Sequence, residues 1–469
     1  MKHKKKILAL IIIILILLGS LTTYYSYKVC RANTHCKSFV RSVMPHKLYA
    51  YLSGKVQDIP EVPEKKMGNT DSFKRSPQHR ETFKIHSAHN SIYAYKFELP
   101  SPHRYGAIAA FRDTFIFLDG TGKLFLFDRN EKFSELKETL SPTLNFNKKE
   151  FRETHGNDED LNTAFAVKGL AVFKKNKKNY LIASTLAYDV DNNCHTISLY
   201  KSKILDNKNN FETSGWENIY NSTPCLVFKD NAIASEPGAV YNTISSGGKV
   251  QQYDDDSVLL TIGDLENSGS QSPDIVQDIS THYGKIIQVD IFNKKNKIFS
   301  IGHRNPQGLY INKDKNIVFE TEHGPWGGDE VNIIKEDKNY GWPLRTFGVN
   351  YDVQAHRWAF DKSDRTHSGY EKPIMSWVPS LGISNLIQIK TDHFNYWKDD
   401  LIVSSLKNAS LYRLHLDNSK VITIETIHIG QRIRDIIELG NGEIVLLTED
   451  PKDWNDKKHF IILNYFKPY

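Results

Sequence analysis

The chain has 469 residues, 39% of them hydrophobic and 12% aromatic, with a formal net charge of +6. Setting aside Lys2, Lys4, Lys5 and Lys6 brings bases and acids close to balance, so no basic footprint for nucleic acid remains. The length suffices for one large domain or two ordinary ones.

Those lysines precede "ILALIIIILILLGSL", apolar without a break from Ile7 to Leu17 and weakly so to Leu21. A basic flank before a hydrophobic run is the grammar of an export signal. The run is shorter than the roughly 18–20 residues of a full span, but "TTYYSY" after it supplies interfacial aromatics. A small-residue cleavage site is not evident, which favours an uncleaved anchor over residues 1–22 rather than a removed signal peptide. Lysines before the run place the bulk of the chain outside the cytoplasm, on a periplasmic or extracellular face. Residues 23–90 are mixed and lysine-rich and read as a stalk or wrap. Four cysteines in an exported chain argue for two disulfides, Cys30 with Cys36 and Cys194 with Cys225. A zinc site would need paired short spacings or histidine partners, and neither occurs.

From residue 91 to 469 one pattern recurs six times: a β-rich run, a turn, a second β-rich run. The copies begin at Asp113, Asn179, Asp256, Asn316, Asp399 and Gly442. Apolar β-formers broken by Gly, Asn or Asp predict antiparallel hairpins. Additional strand material such as "GKVQQYDD", "GLYINKD" and "RIRDIIEL" turns six hairpins into six small sheets. Radial repetition of such sheets is the six-bladed β-propeller, an all-β fold. A two-sheet sandwich is the alternative, and it does not account for the sixfold recurrence. Residues 209–242 and 356–372 read as insertions on the functional face.

Two stretches carry chemistry. "GHRNPQGL" presents Arg304, Asn305 and Gln307, with Pro306 arguing against a regular strand, and "EHGPWGGDE" presents glycine-rich backbone. Accessible glycine carbonyls there are hard donors suited to calcium; the plainer reading is a solvent-facing turn. Lys407 stands at a hairpin tip, and Arg432 and Arg434, two apart, share a strand face. Their repulsion calls for an anion between them, either a ligand with several carboxylates or acids of the chain such as Asp435.

The motifs "GGKVQQYDDDSVLLTIGD", "VQDISTHYGKIIQVDI", "GHRNPQGL", "EHGPWGGDEVNII", "NYGWP", "SLKNASLYRL" and "RIRDIIEL" occur in this order over roughly residues 165–450. In that order they resemble the glucose/sorbosone dehydrogenase family, the soluble quinoprotein sugar dehydrogenases. The resemblance implies a propeller that binds pyrroloquinoline quinone, a tricarboxylate, beside a calcium ion. It implies Arg304, Asn305 and Gln307 in the quinone pocket, Gly324 and Pro325 holding calcium through main-chain carbonyls, and Lys407, Arg432 and Arg434 on the cofactor carboxylates. In such enzymes a histidine takes the sugar hydroxyl proton and an arginine, here Arg304, stabilises the developing oxyanion.

The expected histidine is the departure. Aligning "KGLAVFKKNKKNYLIAS" with the family puts Phe173 at the base position, and a phenylalanine accepts no proton. Substitute bases are His155, His282 and His303, while His323, beside the calcium carbonyls, reads as a residue that orients the loop. The leading expectation is a membrane-anchored dehydrogenase of a sugar or polyol, dependent on quinone and calcium, passing electrons to an acceptor the sequence does not identify. The alternative is a non-catalytic propeller that binds a carbohydrate or a partner protein. A calcium-dependent hydrolase or lactonase lacks the acid and histidine constellation it would need.

Overall fold

Strands such as Ser257–Ile262, Leu401–Ser405 and Ile444–Glu449 are buried at every residue, which is why they read as continuous apolar runs. Each is the second strand of a small antiparallel sheet whose two faces are covered by neighbouring sheets. The outermost strand Lys420–His428 is mostly exposed and alternates accordingly. The computed structural model describes residues 80–87, 90–99, 106–129, 134–155, 165–207, 210–227, 245–265, 274–325, 327–348, 366–449 and 458–465. These fall in one compact unit.

Six sheets form the blades of a propeller. Blade 1 runs Gly106–Phe111, Thr114–Asp119, Leu124–Arg129, Ser134–Glu138. Blade 2 is built on Val167–Lys175, Lys178–Asp189 and Cys194–Asn207, with three short strands on its outer edge. Blade 3 begins at Gly247–Gln252, blade 4 at Pro306–Asn312 and blade 5 at Ile383–Gln388. Blade 6 takes Arg432–Glu438, Ile444–Glu449 and Lys458–Tyr465, then Ser91–Glu98 and Arg80–His86 from the other end of the chain. The first of these two closing strands by sequence, Arg80–His86, falls inside the stretch 23–90 expected as a stalk. The innermost strands touch in sequence, and the sixth touches the first, so the ring is closed. The six hairpins read from sequence are the second and third strands of the six blades.

The core lies between blades rather than in one centre. Phe115, Phe117, Phe127 and Phe460 pack between blades 6 and 1, and each fully buried ring is worth about 1.5–3 kcal/mol. A second cluster joins blades 2 and 3, and it contains Phe173, fully buried and edge-on to Phe292. The Cys194–Cys225 disulfide forms as expected, with a Cα–Cα distance of 5.7 Å, and ties the third strand of blade 2 to its outer edge. Cys30, Cys36 and the expected anchor at 1–22 lie outside the described residues. No helix among the described residues is long and apolar enough to cross a membrane.

In five blades the pairing of the first two strands shifts register near the start of the inner strand: at Val167/Gly169, Gly247/Val250, Pro306/Gly308, Ile383/Leu386 and Ile433/Asp435. Such bulges re-aim side chains, and here they do so at one end of the ring. That end carries the polar cluster.

Candidate functional site

Blade 4 enters its inner strand through Gly302, His303, Arg304 and Asn305. Pro306 cannot donate to the ladder, and the register slips directly after it, so the segment is irregular as the proline foretold. Asn305 Oδ1 accepts Gln307 Nε2 at 2.9 Å and Gly247 N at 3.3 Å, joining blade 4 to blade 3. Arg304 is buried; its Nη1 donates to Gly324 O at 2.8 Å and His323 O at 3.2 Å, and its guanidinium lies 5.5 Å from the Trp342 ring. Its Nε, also buried, has no acceptor among the described residues.

Opposite, the loop 323–328 turns tightly. Gly328 has φ +73°, and a Cβ there would lie 2.4 Å from Gly348 N, so the position requires glycine. Asp329, fully buried, pins this loop: it accepts from Ser380 Oγ at 2.8 Å, Gly382 N at 2.8 Å, Leu381 N at 2.9 Å and Gly324 N at 3.3 Å. Lys407 Nζ donates to Ser380 O at 3.1 Å, which brings the hairpin tip of blade 5 to the same rim.

Arg432 and Arg434 do share a face, and an anion does lie between them. It is Glu449, buried on the adjacent strand, with Oε2 3.0 Å from Arg434 Nη2 and 3.5 Å from Arg432 Nε. The expectation that their repulsion lacks compensation without a ligand is corrected: Glu449 supplies it. Asp435 is engaged elsewhere, with Lys249, Asn385 Nδ2 at 2.7 Å and Ile108 N at 3.2 Å.

A pocket opens against Arg304, lined also by Glu322, His323, Gly324, Glu330, Tyr340, Trp342, Arg345 and His367. Burial lowers the pKa of His323, and Arg304 and Arg434 lower it further against the pull of Asp329. His367 Nε2 lies 3.0 Å from Glu330 Oε1 and Nδ1 3.1 Å from Glu371 O. Burial opposes its charge, but the Glu330 hydrogen bond and carboxylate outweigh it and raise its pKa. Behind the pocket wall, burial and then the charge of Glu322 push Glu320 well above the usual carboxyl range.

Of the expected bases, His282 is a structural group: Tyr220 OH at 2.7 Å and Thr223 N at 3.1 Å meet its Nδ1, on blade 3's edge toward blade 2. His303 is fully buried, with Nε2 2.9 Å from Ser300 Oγ, and it does not line the pocket. His155 ends a helix, Lys148–His155, and its side chain lies outside the described residues. Phe173 pairs with Tyr180 near a hairpin turn and packs into the core between blades 2 and 3, away from the pocket. A histidine there would face apolar side chains, so Phe173 does not mark the position of a base at this pocket. Sequence reasoning missed Asp329, Glu449, Glu330 and His367. The register that pairs Arg432 with Glu449 is absent from any local spacing.

Residues 173–454 match the family model described as Glucose / Sorbosone dehydrogenase. An uncharacterized protein of Synechocystis sp. is 31% identical over 223 residues, 43% of this chain and 53% of that protein. The aldose sugar dehydrogenase YliI of Escherichia coli is 35% identical over 156 residues, 33% of this chain and 41% of its own length. The chain thus spans about half the length of the curated relatives it matches. A solved structure, the PQQ-bound form of an aldose sugar dehydrogenase from Streptomyces coelicolor, superposes with TM-score 0.53 at 15% identity, covering 83% of this chain and 99% of that one, which shows a shared fold.

Proposed function

Because this chain belongs to the glucose/sorbosone dehydrogenase family, we propose that it is a dehydrogenase that oxidises a sugar or polyol with pyrroloquinoline quinone and calcium. The observation that carries this reading is Arg304, clamped by two loop carbonyls at the pocket wall with a buried Nε that has no acceptor among the described residues. A buried donor without a partner costs about 1–3 kcal/mol, and an oxygen of a bound quinone or substrate relieves that. The name of the Escherichia coli relative and the quinone bound in the Streptomyces coelicolor structure support the same assignment. Gly324 O already accepts Arg304, but a carbonyl has two lone pairs, so one remains for calcium, with Pro325 O beside it.

When bound, the quinone supplies a two-electron acceptor. Arg304 is fixed by the loop and by Trp342, so it presents its charge to the developing oxyanion with no reorganisation. Lys407, Arg432 and Arg434 supply the basic rim for carboxylates, with Glu449 cancelling part of that charge. His282 and His303 do not line the pocket, and His367, which does, has both ring nitrogens engaged, by Glu330 Oε1 and Glu371 O.

Full-length protein given quinone and calcium is expected to show a bound-quinone absorption spectrum and to reduce a dye with some member of an aldose panel. Quinone binding without turnover selects the non-catalytic alternative, and no quinone binding removes the quinone-dependent dehydrogenase. We propose further that the segment 1–22 anchors the protein to a membrane with the propeller facing the periplasmic or extracellular side. Recovery of the intact chain in a salt-washed soluble fraction would refute that.

A further inference from the structure

On the second and third strands of blade 4, Ile317–Glu322 and Asp329–Ile334, four polar side chains share one buried face. Glu320 lies opposite Asn332 and Glu322 opposite Glu330, and none is more than 4% exposed. Like charges directly opposite on a ladder repel. Glu330 has His367 at 3.0 Å. Among the described residues Glu320 and Glu322 have no histidine or cation at that distance, although Glu322 Oε2 accepts Arg304 N: the single amide of Asn332 faces Glu320 at 3.1 Å, Glu322 at 3.2 Å and Glu330 at 3.4 Å, three carboxylates for two hydrogens.

His303 enters the same cluster from the start of the blade. Its Nδ1 lies 3.6 Å from Glu322 Oε1, too long for a hydrogen bond, and the donor atoms of His303, Glu320 and Glu322 all lie within 4.8 Å of one another. Among the described residues, two fully buried atoms of this cluster have no hydrogen-bond partner, His303 Nδ1 and Glu320 Oε1. The oxygen offers only lone pairs, as does Nδ1 when Nε2–H donates to Ser300. A shared positive centre is what they lack. One proton would satisfy one of them, whereas a metal ion satisfies both.

We propose that His303, Glu320 and Glu322 form a buried site for a divalent first-row transition ion of the zinc type. The 3.6 Å separation is close to the edge of a tetrahedron with bonds of about 2.1 Å, whose edge is about 3.4 Å. An imidazole nitrogen among carboxylates favours such ions over calcium and magnesium, which take oxygen alone. The site is separate from the Gly324 and Pro325 carbonyls and does not depend on the quinone reading. Its ion would stiffen the entry of blade 4, because Glu322 Oε2 also accepts Arg304 N at 2.7 Å.

The test titrates chelator-washed full-length protein with cobalt in the presence of millimolar calcium. The expected result is one tight equivalent with the visible bands of tetrahedral cobalt, displaced by zinc. Glu320→Gln keeps the shape and removes one negative charge, so it is expected to fold at least as well without metal and to lose at least about 100-fold in cobalt affinity. No saturable binding to the wild type would mean that Glu320 and Glu322 share a proton instead, and the proposal falls. Equal affinity in the two proteins would place the ion elsewhere and overturn it as well. If the variant does not fold, the wild-type spectrum alone decides.

Discussion

The Glu449 carboxylate, buried between Arg432 and Arg434, offsets one of the two guanidinium charges there. Glu449→Gln removes the shared partner and leaves two close guanidiniums, so we expect a loss of about 3 kcal/mol in urea unfolding. Arg434→Ala leaves Glu449 still paired with Arg432, so its stability loss should be smaller while its quinone affinity falls. An unchanged urea midpoint for Glu449→Gln would show that the arginines do not need it. The two arginines and their shared face were legible because strand geometry has period two. The carboxylate was not, because it lies on the next strand, in a register that spacing does not encode. Phe173 failed for the same reason: a local alignment placed it at a site, and its packing against Phe292 places it in the core. His195 carries a pH signature that sequence could not show. Burial pushes its pKa down to about 3, while the unfolded chain takes a proton near 6.5. The unfolded state therefore binds more protons at acid pH. The contribution is complete above about pH 6.5 and is lost as pH falls toward 3, about 2 kcal/mol between pH 7 and 5. His195→Gln should flatten that part of the urea-midpoint profile.

Among the elements, the loop 323–328 and the bulged inner strands do the positioning. The loop's motif was readable, since glycines beside an acid announce a backbone-exposing turn, but the partners of Asp329 come from the start of blade 5, more than fifty residues on. Those bonds hold the loop that presents the Gly324 carbonyl. Asp329→Asn keeps the size but turns one acceptor into a donor facing backbone N–H groups. Charge-assisted bonds contribute about 1.5–3 kcal/mol each, so a loss of about 2 kcal/mol or more is expected, with faster amide exchange at Gly324 and Gly328 and weaker calcium binding. Unchanged exchange in the loop would mean that its own turns, not Asp329, hold it.

Across the whole molecule, six blades were legible because the second and third strands of each form a hairpin of β-formers broken by Gly, Asn or Asp, and that hairpin recurs six times. Ring closure was not, because Arg80–His86 and Ser91–Glu98 alternate polar and apolar residues at a sheet edge and resemble the lysine-rich stretch around them. What holds the ring across its axis is the buried pair of Lys249 on blade 3 and Asp435 on blade 6, with Asn385 of blade 5 and the Ile108 amide of blade 1 on the same carboxylate. Four blades thus meet at one group. An ion pair this deep gains little over an apolar pair, because desolvation offsets most of the attraction, yet breaking it strands a charge. Lys249→Met should therefore cost about 3–5 kcal/mol, and the double change Lys249→Met with Asp435→Leu should recover part of that, less the bonds that Asn385 and Ile108 lose. Because the pair spans non-adjacent blades, the single variant should also lower the cooperativity of unfolding, seen as blade 3 and blade 6 amides exchanging at different urea concentrations. Equal urea midpoints and slopes for wild type and Lys249→Met would show that the blades are held by their lateral cores alone and that the axial pair contributes nothing to closure.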